Sequence, residues 1–337
     1  MNSHDLTRLL IEGAVGRTLS QVQKDSHRSL RNLVDLGLTV SKGRFQKTFL
    51  ELAQHMLENE DSAYYSLLDQ AIQRMDHETI KTFGVNVGYE GLTRGAKTIR
   101  RIEETEGYNI PWVLGMELGE LDAARDLIRQ GMELGIYVYG IWDTGADLAA
   151  LRELLGQAPQ CAFFLLTTGE SLLRQGLEPL EDCRNVYISV RADDAGLEAA
   201  EALGAGGFLY GVHALYQDEG CIAPEKLERY LDYKPLAVAL VPRDQEALLQ
   251  NKGLYDQVKA LRFQQKYPYF LLDVVGDSLY VDQVISEDPC MLYIRRNGDA
   301  LAVDRCGFRP AGNLSEEPLA QVLRAALPKG ASREGGA

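Results

Sequence analysis

From Phe83 onward the sequence repeats one unit: a short, near-continuous apolar run, then a stretch with apolar residues at helical spacing. The runs start at Phe83, Trp112, Ile136, Ala162, Val186, Phe208, Leu236 and Phe270, 22 to 34 residues apart. They read FGVNVGY, WVLGMEL, IYVYGIW, AFFLLTT, VYISVRA, FLYGVHA, LAVALVP and FLLDVV. Strands that are apolar on both faces suit a sheet covered on both sides. The intervening segments, LDAARDLIRQGMEL and PEKLERYL among them, are amphipathic helices by their spacing. Eight strands alternating with helices predict an α/β fold, a TIM-type (β/α)8 barrel or an incomplete version of it. A doubly wound open sheet is the rival, but no run leads into a clean phosphate-binding glycine fingerprint.

The flanks follow other rules. Residues 1–80 read as an N-terminal helical extension, with Phe45, Phe49, Leu52 and Met56 on one helical face and Tyr65, Leu68, Ile72 and Met75 on the next. Asp61 or Ser62 can cap that second helix. The barrel is assigned to 81–275. Residues 276–327 carry a β-hairpin turning at Asn297-Gly298 and a last helix capped by Ser315. Residues 328–337 are expected to be a disordered tail.

The formal charge of −14 opposes nucleic acid and anionic membrane surfaces as partners, since both require a basic footprint. No signal-peptide pattern and no run long enough to span a bilayer is seen. The 5 cysteines are odd in number and scattered, which argues against a disulfide framework. The expected localisation is cytoplasmic. His4, His27, His55 and His77 show no metal-ligand spacing, and no metal site is expected.

A parallel barrel carries its chemistry at the C-terminal ends of its strands. Polar residues expected there supply the candidates. His213, the one histidine of the barrel region, is the candidate general acid or base, with Glu117, Asp143 and Asp273 as carboxylates. Arg191 and Arg243 can clamp an anion, and Asn86, Tyr89 and Arg94 follow the first run as further ligand-binding candidates. A histidine hydrogen-bonded at a strand end and acids capping the following helices are the plain structural alternatives. Gly88, Gly91 and Gly95 suggest a phosphate loop, but Ala96 separates Gly95 from Lys97, and the motif needs them adjacent.

The run WVLGMELGELDAARDLIRQGMELGIYVYGIWDTGADLAALREL resembles successive βα units of radical SAM enzymes, and NVYISVRAD resembles one of their later strands. The end of the chain, from Cys290 through NGDALAVDRC to Gly312-Asn313-Leu314, is similar to their C-terminal extensions. The resemblance implies an incomplete barrel. Its cluster motif, three cysteines spaced C-x3-C-x2-C after the first strand, has no counterpart in YEGLTRGAKTIRR. Neither S-adenosylmethionine nor a [4Fe–4S] cluster is therefore expected as cofactor, and Cys290 and Cys306 read as structural. Three functions follow: a barrel binding a small polar or anionic molecule at its C-terminal face, an acid–base enzyme using His213, or a non-catalytic scaffold for a protein partner.

Overall fold

The computed structural model describes residues 3–22, 51, 54, 58, 59, 61–142, 145, 147–288, 290–304 and 306–330. Asp143 and the helical stripe at Phe45–Met56 lie outside the described residues.

Helix α1 (Ser3–Val22) is followed by α2 (Ala63–Arg74), which Ser62 caps by accepting from the Tyr64 amide, and α3 (His77–Val85), which Asp76 caps at Thr79. A π-helix over Asn86–Gly95 and α4 (Ala96–Glu106) continue without a break. The first expected strand, from Phe83, is thus helical. Two of its glycines serve packing: a Cβ on Gly91 would meet the Val138 side chain at 2.9 Å, and one on Gly95 would collide with the Gly135 carbonyl.

The alternating core follows: β1 (Val113–Glu117), α5 (Leu121–Leu134), β2 (Val138–Trp142), α6 (Leu148–Gln157), β3 (Ala162–Thr167), α7 (Gly169–Gln175), β4 (Val186–Arg191) and α8 (Asp194–Ala205). Then come β5 (Tyr210–Tyr216), α9 (Pro224–Arg229), β6 (Ala237–Pro242), α10 (Gln245–Gln250), α11 (Leu254–Gln264), β7 (Phe270–Asp273) and α12 (Val274–Ser286). The chain ends in β8 (Met291–Ile294), β9 (Asp299–Asp304), β10 (Gly307–Asn313) and α13 (Leu319–Ala326). α13 starts at Leu319, whose amide donates to the Gln130 side chain, and Ser315 does not cap it.

All ten strands form one sheet in the order β10-β9-β8-β1-β2-β3-β4-β5-β6-β7. β1 to β8 are parallel in consecutive pairs, except that β7 and β8 are not joined. The fold is an α/β barrel left open at that seam. Its eighth parallel strand is Met291–Ile294, and the run at Phe270 is the seventh. The opening has a plain cause: β8 gives one edge to β1 and the other to β9 through an antiparallel hairpin. No edge is left for β7. Helix α12 fills the gap, touching β6, β7 and β8, with Val275 and Leu279 packed against Met291 and Val303.

The hairpin turn differs in detail from the two-residue form. Arg295 N donates to the Asp299 carbonyl and Gly298 N to the Arg295 carbonyl, so Arg296 and Asn297 are the central turn residues. Gly298 follows at φ 86°, the left-handed position of a bulged three-residue loop.

Side chains alternate between two unlike environments. Leu114, Tyr139, Phe163, Ile188, Val212 and Leu240 point outward beneath the helices and are fully buried. The Tyr139 hydroxyl donates there to the Ile128 and Ile136 carbonyls. The register partners of the other set, among them Gly115, Gly140, Phe164, Tyr187, Ser189 and His213, face the interior. Phe83 closes the interior from below, edge-on to Phe164 with ring centroids 5.2 Å apart. At the end of the chain, Lys329 N donates to the Gly107 carbonyl and Pro328 bridges Tyr108, which ties residues 328–330 to the body.

Candidate functional site

The C-terminal ends of the parallel strands form the mouth of the barrel, and the register decides which side chains enter it. Glu117 ends β1 opposite Trp142 of β2, so both face inward. Tyr293 of β8 is in register with Gly115, and its ring lies where a Cβ on that glycine would stand. The Tyr293 hydroxyl donates to Glu117 Oε1 at 3.2 Å, the Arg296 amide donates to Oε2 at 2.9 Å, and Trp142 stands edge-on to the Tyr293 ring at 5.5 Å. Burial and then the Glu117 charge push the Tyr293 phenol up, which keeps it a donor. Gly119 permits this docking, since a Cβ there would meet the Arg296 carbonyl oxygen at 2.7 Å.

Across the mouth, Arg191 of β4 and His213 of β5 are register partners. Arg191 is exposed, with Nε 3.7 Å from Asp193 Oδ2. His213 is 5% exposed. Its Nδ1 lies 3.1 Å from the Ser189 carbonyl and 3.2 Å from the Ser189 hydroxyl, so Nδ1–H donates to the carbonyl. Burial lowers the imidazole pKa to about 4, against the partial support of the Ser189 contact. Arg243, just past β6, is exposed, and its amide donates to the Tyr216 carbonyl. Its side chain has no ion pair among the described residues.

Four expected residues, Glu117, Arg191, His213 and Arg243, thus belong to the mouth, and four others do not. Asp273 alternates to the outer face of β7, its partner being the fully buried Leu240, and lies behind the sheet. Burial there raises its pKa to about 6, against the Gly276 and Val275 amides. Asn86, Tyr89 and Arg94 sit on the π-helix under the opposite end of the barrel. Asn86 Nδ2 donates to the Pro159 and Cys161 carbonyls, just before β3. Arg94 pairs with the buried Glu90 at 2.9 Å, and Arg8 of α1 grips the same carboxylate at 2.7 Å. That network joins α1 to the barrel floor. Helical rather than extended backbone at Phe83–Gly95 is the reason for the misplacement.

Trp142 and Tyr293 complete the mouth, and Tyr293 was hidden in the sequence because the hairpin signal masks the strand's parallel pairing with β1. Among the described residues no group of histidine, cysteine, aspartate and glutamate side chains is arranged to hold a metal ion. The loop from β1 to α5 is Leu118-Gly119-Glu120, short and without cysteine. The cysteines lie apart, with Cys290 buried and Cys306 exposed. No helix among the described residues is long and apolar enough to cross a membrane.

No protein-family model matches the chain, and no curated protein does. Among solved structures, an enolase from Bradyrhizobium is similar at 13% identity and a TM-score of 0.35, over 79% of this chain and 78% of that one. A thiamine phosphate pyrophosphorylase from Pyrococcus furiosus is similar at 12% identity and a TM-score of 0.26, over 52% of this chain and 95% of that one. The fold assignment rests on the strand order itself.

Proposed function

We propose that the barrel mouth binds a small polar or anionic molecule, and that the chain is a cytoplasmic protein with neither nucleic acid nor membrane as partner. The observation that carries this is the register pair Arg191–His213: an exposed guanidinium beside a neutral imidazole, facing the Trp142–Tyr293–Glu117 wall. A guanidinium fork takes a planar anion through two hydrogen bonds, and an aromatic wall covers its apolar part.

The geometry favours binding over acid–base catalysis. An imidazole with a pKa near 4 is a weak base at neutral pH. Glu117 already accepts from Tyr293 and Arg296, and Asp273 lies behind the sheet. The resemblance to radical SAM enzymes enters the proposal as descent: an open barrel whose β1 loop carries no cysteine and whose cluster chemistry is lost. S-adenosylmethionine and an iron–sulfur cluster are accordingly not proposed as cofactors.

The test is a thermal-shift screen of small carboxylates and phosphate esters on the full chain, repeated on Arg191→Ala. A stabilising ligand whose effect disappears in the variant, with the unliganded melting point unchanged, supports the reading. A screen without a stabilising compound, or a ligand indifferent to Arg191, returns the chain to the role of a scaffold for a protein partner.

A further inference from the structure

At the opposite end of the barrel, below β5, β6 and β7, lies a cleft of about 370 Å³ lined by Gln70, Arg74, Leu231, Lys234, Pro235, Pro268 and Tyr269. It holds two cationic side chains, and no carboxylate lines it. Neither Arg74 nor Lys234 has an ion pair among the described residues, in a chain whose net charge is −14.

The Arg74 guanidinium and the Lys234 backbone are tied together from behind. Arg74 Nη2 donates to the Tyr210 hydroxyl at 3.1 Å, and that hydroxyl lies 3.1 Å from the Lys234 carbonyl and 3.0 Å from the Tyr233 carbonyl. Tyr210 is fully buried, so its hydroxyl is a fixed post. Gly204 leaves the space the guanidinium occupies, because a Cβ there would collide with Arg74 Nη2. Lys234 is held at φ 46°, a left-handed conformation in which a side chain costs about 1 kcal/mol and where glycine is the ordinary residue. An arginine in the last turn of α2 complements the helix dipole, and Lys234 is the left-handed C-cap of the turn Tyr230–Tyr233, but neither role accounts for the apolar wall of Leu231, Pro235, Pro268 and Tyr269.

The geometry points to a second binding site, for a small carboxylate with an apolar body. Arg74 and Lys234 take the carboxylate, and Leu231, the two prolines and Tyr269 cover the chain or ring. The volume lies in the range of ordinary small-molecule pockets, about 300–1,000 Å³. This site is independent of the barrel mouth.

Calorimetric titration of the full chain with hexanoate, hexanol and inorganic phosphate tests it. Hexanoate is expected to saturate, with hexanol and phosphate at least about tenfold weaker, because one lacks the charge and the other the apolar body. Arg74→Gln and Lys234→Gly should each weaken hexanoate about tenfold or more. Lys234→Gly should keep or raise the melting point, since glycine relaxes the left-handed backbone, so lost binding there cannot be lost folding. Arg191→Ala, at the other end of the barrel, should leave hexanoate affinity unchanged. The proposal fails if hexanoate does not saturate, if either cleft variant binds like wild type, if phosphate binds as tightly as hexanoate, or if Arg191→Ala abolishes binding.

Discussion

Arg262 and Asp277 form a two-pronged ion pair along the free edge of β7, with Nη1–Oδ1 at 2.9 Å and Nη2–Oδ2 at 2.6 Å. The same side chains satisfy the backbone groups that a neighbouring strand would have taken. Arg262 Nε donates to the Leu271 carbonyl at 2.9 Å, and Asp277 Oδ2 accepts from the Asp273 amide at 2.9 Å. The guanidinium also lies over the Phe270 ring, 4.8 Å from its centroid. An open barrel leaves an edge strand that can pair with another chain. Here one ion pair stands in for the missing neighbour.

Arg262→Ala is expected to destabilise the protein by about 3 kcal/mol, because it strands a largely buried carboxylate and frees the β7 edge. Asp277→Asn should cost less, since the amide still fills the site. The double variant should fall short of the sum, as shared partners require. Urea unfolding measures all three, and light scattering should show Arg262→Ala associating through its exposed edge. Additive losses, or an Arg262→Ala variant as stable as wild type, would refute the edge role.

His213 makes stability depend on pH with a definite sign. Its folded pKa, near 4, lies below the unfolded value near 6.5. The unfolded chain therefore binds more protons between these values, and this contribution is intact above about pH 6.5 and is lost as pH falls toward 4. The size is about 3 kcal/mol at roughly 1.4 kcal/mol per unit. Other groups titrate in the same range, so the quantity to measure is the difference between wild type and His213→Gln in urea midpoints across pH 4 to 7. A difference flat in pH would mean that the imidazole is solvated.

Asp282 should act in the opposite direction. It is fully buried between α4 and the start of β8, accepts from the Trp112 amide at 2.7 Å, and has its pKa raised to about 8 by burial, with the Glu103 charge adding to this. A raised folded pKa contributes stability that is present below the unfolded value near 4 and is lost as pH rises through 8. Glu103, itself raised by burial, has Lys329 at 3.3 Å as counter-ion, and Ser286 and Cys290 complete the surroundings. Asp282→Asn should remove this loss, leaving a variant less sensitive to pH than wild type between about pH 4 and 8. Equal slopes in the two proteins across that window would place the titration elsewhere.

The Tyr293–Glu117 bond anchors the hairpin to the mouth. Tyr293→Phe removes one of the donors to a partly buried carboxylate and should cost about 1 kcal/mol. Gly119→Ala should cost more, because the Arg296 carbonyl is backbone and must shift. Ligand binding at the mouth should weaken in both variants, and unchanged affinity would remove this wall from the proposed site.

Seven of the eight strands expected from apolar runs form where expected, from Val113 to Asp273, and the helices between them follow their periodicity. Composition was enough because strands covered on both faces must be apolar throughout, whatever their neighbours. The run at Phe83 misled for a local reason: FGVNVGY is as apolar as a strand, but Asp76 caps a helix just before it and nothing stops that helix until Gly107. Of the three glycines that suggested a loop, Gly91 and Gly95 are there for close packing under β2, and a Cβ on Gly88 would meet open space.

Local pattern was enough for the α/β alternation, for a hairpin between β8 and β9 though not for its turn residues, and for the candidates Glu117, Arg191, His213 and Arg243 at their strand ends. Tertiary structure alone decided which face each side chain took, sending Asp273 behind the sheet. It also decided which strands met, giving the second edge of β8 to β9 and leaving β7 to Arg262 and Asp277. Register and edge pairing depend on contacts between segments far apart in the chain. A short-range pattern can therefore predict that a strand exists without fixing its neighbours.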